Sequence, residues 1–359
     1  MRVALLCPYS LSVPGGVQGQ VLGLARSLRT IGVDTRVIGP TDGPPPEPGV
    51  VSVGPSVRMD ANGSVAPMNV GPVASERTLE ALRTFEPDVL HLHEPFVPGP
   101  TAAALVGSRL PKVGTFHAAA EGDHAVYRRL RKVAQRAARE LTIRTAVSAD
   151  AQALAEQFLG GSYIVLPNGV DVSRFADAPP APSDRPAVVF VGRHEPRKGL
   201  GVLLDAWADL DRDAVLWVVS DGPQTAELRA RGVSGVEWLG RITDAELASR
   251  LRGATVFCAP SLGQESFGVV LLEAMAAQAA VVASAIPGYG NVASDGVDAL
   301  MPTPGDAVAL RDALRRVLDD ADLRSTLIAA GARRAAEFSL DRLAERFVGV
   351  YETAIALGP

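Results

Sequence analysis

AVVFVGRHEPRKG, residues Ala187 to Gly199, is five consecutive apolar residues, three of them valine, followed by a Gly-Arg pair and a polar run that ends on a glycine. Five such residues are too few for a helix and suit a strand buried on both faces, and the polar run reads as the loop into a helix start. The same grammar recurs along the chain. In the first half strands are expected at Val3 to Cys7, Thr35 to Ile38, Val89 to His93, Lys112 to Phe116, Thr145 to Val147 and Ser162 to Val165. In the second half they are expected at Ala187 to Val191, Val215 to Val219, Val236 to Trp238, Val256 to Cys258 and Ala280 to Ala283. Amphipathic stretches separate them, and strands alternating with helices are the pattern of parallel sheets joined by crossovers. The expected fold class is α/β: two doubly wound Rossmann-like domains facing across a cleft, with chemistry at the carboxyl ends of the strands.

The chain has 359 residues, a prior for two domains at about 150 residues each. Ala176 to Pro186 (ADAPPAPSDRP) is rich in proline without apolar period and reads as the linker, giving domains 1–170 and 171–340. Residues 341–359 then form a C-terminal amphipathic helix whose packing the pattern does not fix. Apolar residues at 47% and charged residues at 21% place the chain among soluble globular proteins and exclude a disordered one. A formal charge of −5 from 35 basic and 40 acidic groups excludes whole-surface attraction of nucleic acid. Basic residues slightly outnumber acidic ones in residues 1–170 and are outnumbered beyond, so an anionic surface should meet the first half. Cys7 and Cys258 lie in apolar runs, which excludes a disulfide framework and suits a reducing cytosol. Met1 to Tyr9 is too short for a signal peptide, and no apolar stretch approaches the roughly 18 residues of a membrane span. A cytoplasmic chain is expected.

The segment Pro260 to Ala274, PSLGQESFGVVLLEA, is the richest in chemistry. Glu265 precedes an apolar helical run and Glu273 follows eight residues later, about 12 Å along a helix axis at about 1.5 Å per residue. That is too far for one metal or a shared proton, and suits two hydrogen-bonding tasks on one elongated ligand. The helix start near Ser266, Phe267 and Gly268 would offer N–H groups to a phosphate between them; the alternative is an acid satisfying the helix dipole and a surface glutamate. In the loop Gly192 to Gly199, Arg193 and Lys198 suit the two phosphates of a diphosphate. Lys198 stands out because its only fellow lysines are Lys112 and Lys132, every other basic residue being arginine.

The loop Pro14-Gly15-Gly16-Val17-Gln18-Gly19 fails the G-x-G-x-x-G fingerprint, and Asp34 opens the second strand instead of ending it, which disfavours a nicotinamide or flavin cofactor. Gly16 still permits close approach of backbone to a ligand, or marks a plain tight turn. His91, His93 and His117 gather at strand ends; without a third ligand at the required spacing zinc is disfavoured, and His117 either donates to a sugar hydroxyl or is a satisfied core histidine. The stretch His124 to Leu141 puts Arg128, Arg131, Lys132, Gln135 and Arg139 on one face and Val126, Leu130, Val133, Ala137 and Leu141 on the other. The basic face is solvated or rests on anionic lipid.

Glu265 and Glu273 as E-x7-E, Gly192 to Gly199 as GRxxxRKG and the PGGVQ loop together resemble the retaining family 4 glycosyltransferases of the GT-B fold. Within that family the chain is similar to the phosphatidylinositol mannosyltransferases, through CPYS, VPGGVQ, NGSVA at Asn62 to Ala66, HxHEP, TFH, PNGVDVSRFADAP and CAPSLGQESFG. The resemblance implies a nucleotide-sugar donor, GDP-mannose, and no cofactor or essential metal. It implies that Arg193 and Lys198 bind the diphosphate, Gly16 adds a backbone N–H, Glu273 holds the ribose, and Glu265 binds the transferred sugar. His117 would contact that sugar, Asp244 would read guanine with Ile242 beside it, and Tyr9, Gln18, Asn62 and Ser64 would line the acceptor site. The partner would be phosphatidylinositol, at the inner face of a membrane.

Two departures stand out. Pro67 and Met68 follow NGSVA where the lipid enzymes carry an arginine, and Ser75 to Thr84 is nearly neutral where their helix is basic. Gln278 stands where a glycine usually ends the E-x7-E helix, a cost of about 1 kcal/mol if it is left-handed. The rival readings are a family 4 transferase with a soluble acceptor such as a sugar phosphate or inositol, a nucleotide-sugar 2-epimerase, and a non-catalytic nucleotide-binding protein.

Overall fold

A computed structural model describes residues 1–61, 64–117, 125–263, 265 and 267–359, with the backbone alone at 60, 61, 64, 65 and 125–131. The chain divides into two compact units, Met1–Gly169 with Leu340–Pro359, and Val170–Ser339.

The first unit holds β1 (Arg2–Leu6), β2 (Asp34–Gly39), β3 (Val50–Ser52), β4 (Val57–Ala61), β5 (Ser64–Met68), β6 (Val89–His93), β7 (Lys112–Phe116), β8 (Ile143–Ala146) and β9 (Ile164–Val165). Seven of them form a parallel sheet in the order β3-β2-β1-β6-β7-β8-β9, and β4 and β5 pair apart as an antiparallel hairpin with Ala61 opposite Ser64. Period-two alternation sorts the sheet's side chains to two cores. Val3, Leu5 and Cys7 enter one, completed by Leu343, Phe347 and Tyr351 of the C-terminal helix Leu340–Leu357. Ala4 and Leu6 enter the other, with Leu90, Leu92 and Phe116. The C-terminal helix is therefore part of the first unit's core.

The second unit holds β10 (Ala187–Val191), β11 (Val215–Val219), β12 (Val236–Gly240), β13 (Val256–Ala259), β14 (Ala280–Ala283) and β15 (Ala299–Leu300), parallel in the order β12-β11-β10-β13-β14-β15. Val189, Trp217 and Phe257 face one core, and Val188, Phe190 and Leu216 the other. Both sheets change winding direction beside their first strand, β1 and β10, which sets loops at adjacent carboxyl ends.

Two expectations change. The proline-rich stretch 176–186 is not a linker: it lies inside the second unit, where the Ala181 N–H donates to the Ser249 carbonyl at 2.9 Å. Proline fixes its backbone as a strap over the unit's surface. In the helix Ala125–Ala138, Val133 is 68% exposed, while the Gln135 amide turns inward to the Phe158 carbonyl at 3.1 Å. Ala137 and Leu141 pack on the core as expected, and Ala134 and Ala138 join them where Val133 is expected. Arg128 and Arg131 lie among the residues whose side chains are not described.

Candidate active site

In the second unit, the loop leaving β10 carries Arg193 and Glu195 into a single 3-10 turn, Pro196–Lys198. Gly199 closes it in the left-handed conformation, φ 70°, and a Cβ there would collide with the Pro260 carbonyl. Only glycine meets both demands. The Leu262 N–H donates to the Arg197 carbonyl at 2.7 Å, so the loops after β10 and β13 are fastened edge to edge. This brings Lys198 Nζ to 2.6 Å and Arg197 Nη1 to 3.0 Å from one oxygen, Glu265 Oε1. Glu195 binds Arg197 Nε at 3.0 Å through one oxygen and Arg193 Nη1 at 3.2 Å through the other. Three guanidinium or ammonium groups thus share two carboxylates, and the surplus positive charge and the half-exposed Arg193 make the cluster a receptor for a further anion.

Glu265 stands in the loop before the helix Val269–Ala276 and not on it, so helical rise does not relate it to Glu273. Its backbone is set by the Ile286–Gly288 turn, where a Cβ on Gly288 would collide with the Glu265 carbonyl. Glu273 has different neighbours. Burial pushes its carboxyl up to about 7, Asp244 adds to the rise, and Arg174 opposes it. Arg174 pairs with Asp244 at 3.3 Å and also donates to its carbonyl at 3.3 Å. Asp244 opens the helix Asp244–Gly253, capped by Thr243, and its side chain is 79% exposed beside half-buried Ile242. Phe267 is buried against Phe338, ring centroids 5.7 Å apart, so it has backbone alone to offer a ligand. Gly268 caps the helix at φ 92°. Ser266 lies outside the described residues.

In the first unit the carboxyl ends of β1, β6 and β7 converge. Gly15 caps the helix Gly16–Thr30, and the space where a Cβ of Gly16 would stand is open, so the N–H groups of that first turn are approachable. Gln18, 7% exposed, turns its amide to the Ser10 carbonyl at 3.4 Å. Tyr9 bridges Met68, and the Ser10 N–H donates to the Pro67 carbonyl at 2.8 Å, which fastens the loop after β1 to β5 and so to the strand of Ser64. Asp42 reinforces this: it accepts from Ser10 Oγ at 2.6 Å, from the Ser56 N–H at 2.7 Å and from Ser56 Oγ at 2.8 Å. These bonds hold its carboxyl below the usual range, with the Ser10 bond foremost. Asn62 lies outside the described residues.

The histidines form a buried row. His91 meets Tyr351 Oη at 2.8 Å and Thr115 Oγ1 at 2.6 Å, its ring centroid lies 4.1 Å from that of His93, and His93 Nδ1 meets His117 Nε2 at 2.9 Å. The His117 N–H donates to Glu94 Oε1 at 2.8 Å, and its ring hydrogen-bonds the Asn168 side chain. Glu94 adopts φ 52°, a strained setting at a strand end of the kind that clusters at functional sites. Burial pushes His117 down to about 4 and His91 down to about 3, so the row is neutral at pH 7. Among the described residues, no group of three or more His, Cys, Asp or Glu is arranged to hold a metal ion.

Residues 185–320 match the family model for glycosyl transferases group 1, and residues 14–174 the model for glycosyltransferase family 4. The phosphatidyl-myo-inositol mannosyltransferase of Mycolicibacterium smegmatis is 38% identical over 371 residues, covering 100% of this chain and 95% of that protein. The chain belongs to glycosyltransferase family 4. A protein of the same description from Propionibacterium freudenreichii is 34% identical over 99% of this chain and 95% of its own length. In fold, the transferase is similar to the sucrose-phosphate synthase of Thermosynechococcus elongatus, with a TM-score of 0.76 over 99% of both chains at 22% identity. The architecture is GT-B, as the motifs imply.

Within the transferase, the structure brings Arg193, Lys198 and Glu265 into one cluster and sets Glu273 and Asp244 beside Arg174, while Ile242 packs on the core. It fastens Tyr9 to β5, turns Gln18 to the Ser10 carbonyl and leaves His117 8% exposed. Sequence reasoning misses Arg197, Glu195, Arg174 and Asn168. Arg197 and Glu195 stand in the GRHEPRKG loop itself, and opposite charges two apart in a strand-end loop were the available signal. Arg174 and Asn168 sit in the PNGVDVSR segment, distant in sequence from what they touch, and pattern offers no sign of either.

Proposed function

We propose that this transferase moves a mannosyl group from GDP-mannose to phosphatidylinositol or a related acceptor, with retention at the anomeric carbon. The observation that carries the reading is its likeness, over its whole length, to proteins described as phosphatidyl-myo-inositol mannosyltransferases. The donor's diphosphate enters the cluster of Arg193, Arg197 and Lys198, displacing Glu265, which is then free to accept from hydroxyls of the sugar. Glu273 accepts from the ribose, and Asp244 with the Ile242 backbone reads the base. Tyr9, Gln18, Asn62 and Ser64 receive the acceptor.

The bond between the anomeric carbon and the β-phosphate oxygen breaks with its electron pair going to the phosphate. The acceptor oxygen bonds the same face of that carbon, and its proton passes to the departing phosphate oxygen. The cations stabilise the charge growing there, the term that usually dominates such catalysis. No helix among the described residues is long and apolar enough to cross a membrane, so access to a lipid acceptor is from the surface.

Labelled GDP-mannose offered together with phosphatidylinositol vesicles and a pool of soluble inositol and sugar phosphates tests the reading. Label is expected in the lipid fraction; label confined to water-soluble product overturns the lipid acceptor. Calorimetry with GDP, UDP and ADP tests the donor, and tighter binding of UDP overturns guanine.

A further inference from the structure

The bond between His93 Nδ1 and His117 Nε2 needs one hydrogen between them, and the two neutral rings supply it in one of two ways. If His117 donates from Nε2, then His93 accepts at Nδ1 and must carry its own hydrogen on Nε2. His93 Nε2 is buried and has no hydrogen-bond partner among the described residues. That arrangement therefore strands an N–H in the interior, the rarer and costlier kind of orphan. If His93 donates from Nδ1, its Nε2 bears a lone pair instead, which an apolar setting tolerates better. The second arrangement wins, and it makes His117 the tautomer with hydrogen on Nδ1 and with Nε2 capped.

We propose that His93 is a positioning residue that fixes His117 in the Nδ1–H tautomer, so that His117 meets substrate as a neutral hydrogen-bond donor and never as a base through Nε2. The surroundings are built for this. His93 is 2% exposed and packed by His91, whose own nitrogens are occupied by Tyr351 of the C-terminal helix and by Thr115 of β7. The His117 backbone is anchored by Glu94. Charge on any of the three rings is opposed by burial, and on His91 and His93 by the neighbouring rings as well. The hydrogen that remains on His117, at Nδ1, is the one it can offer a substrate oxygen. This rests on the proposed transfer reaction, and it agrees with the acceptor's proton leaving on phosphate and not on histidine.

The test reads the tautomer directly. Two-bond proton–nitrogen spectra of the intact protein, with imidazole nitrogens labelled and His117 assigned through a His117→Gln variant, are expected to show Nδ1 protonated and Nε2 bare. A protonated Nε2, or an imidazolium, overturns the proposal. Two variants carry it to catalysis. His93→Asn keeps an N–H donor near the place of Nδ1, whereas His93→Leu removes it. His93→Leu is expected to lower kcat at least about tenfold with KM little changed, and to release His117 to a tautomer mixture. His93→Asn is expected to recover most of both. Equal loss in the two variants, or full activity in His93→Leu, overturns it. The spectra need no substrate, so a protein that shows the tautomer but transfers no mannose refutes the assigned reaction and leaves the histidine pair standing.

Discussion

Glu265 occupies, in the free protein, the cations that a diphosphate needs. Lys198 at 2.6 Å, Arg197 at 3.0 Å and Ser261 Oγ at 3.4 Å all converge on its Oε1, and the Glu265 side chain is only 14% exposed. At an effective dielectric of about 20, unit charges about 3 Å apart attract by roughly 5 kcal/mol, most of which desolvation cancels. What survives is of the order of one hydrogen bond to a charged group, about 1.5 to 3 kcal/mol. Glu265→Gln keeps the shape and an acceptor oxygen but removes the charge. A nucleoside diphosphate, which carries no transferred sugar to lose contact with Glu265, then no longer competes with a resident carboxylate. Its binding is expected to tighten by about tenfold, equivalent to about 1.4 kcal/mol, while the rate of sugar transfer falls because the sugar hydroxyls lose a charged acceptor for a neutral one. Calorimetric titration of GDP into both proteins, beside a transfer assay, reads the split. Unchanged or weaker GDP binding in Glu265→Gln would refute the displacement argument, whatever the rate does.

Glu273 predicts a pH dependence of stability. Between roughly pH 4.5 and 7 the folded chain holds a proton that the unfolded chain has released, so stability falls as pH rises through that window. Glu273→Gln is expected to stabilise the protein at pH 8 by up to about 3 kcal/mol and to do little at pH 4.5, measured by urea unfolding; an equal effect at both pH values rejects the assignment. Nucleotide affinity in the native protein should also rise from pH 6 to pH 8, and be flat in the variant. Gln278 has φ 60° and is exposed, so Gln278→Gly should raise stability by about 1 kcal/mol or less, and a lower Tm contradicts the strain reading. Asp42→Ala should raise KM for the acceptor and leave GDP binding alone, since its bonds hold the loop after β1 to the hairpin; a kinetic effect on donor alone counts against that role.

Five strands agree with expectation to the residue, Val89–His93, Lys112–Phe116, Ala187–Val191, Val215–Val219 and Ala280–Ala283, while Arg2–Leu6 is shifted from it by one residue and Val256–Ala259 runs one residue longer. Their valine, leucine and phenylalanine content marks them, even where VLHLH carries two histidines and KVGTF a lysine and a threonine. The short edge strands β3 and β15 have two or three residues and no such signature. The hairpin of β4 and β5 is legible in hindsight, since Asn62-Gly63 between alternating runs is a hairpin signal in its own right. In the site, residues carried by one loop could be assembled by eye, whereas Arg174 against Asp244 depends on a sequence separation of 70 residues that no periodicity reports. The histidine row was visible as three residues at strand ends, but its bonds follow from strand order β6-β7, which places His93 beside Thr115.

The C-terminal helix completes the first unit, with Tyr351 fully buried and the Ser27 hydroxyl bonded to Asp341 at 2.8 Å. On a ribosome, the second unit is then the earlier of the two to have all its residues, although it is encoded later than most of the first. The opening 169 residues must wait, with the groove of Leu24, Leu28 and Val113 uncovered, until the last 20 residues emerge from the exit tunnel. Birth order and folding order are inverted, so a nascent chain stalled before Leu340 would expose an apolar face for a holdase chaperone to cover.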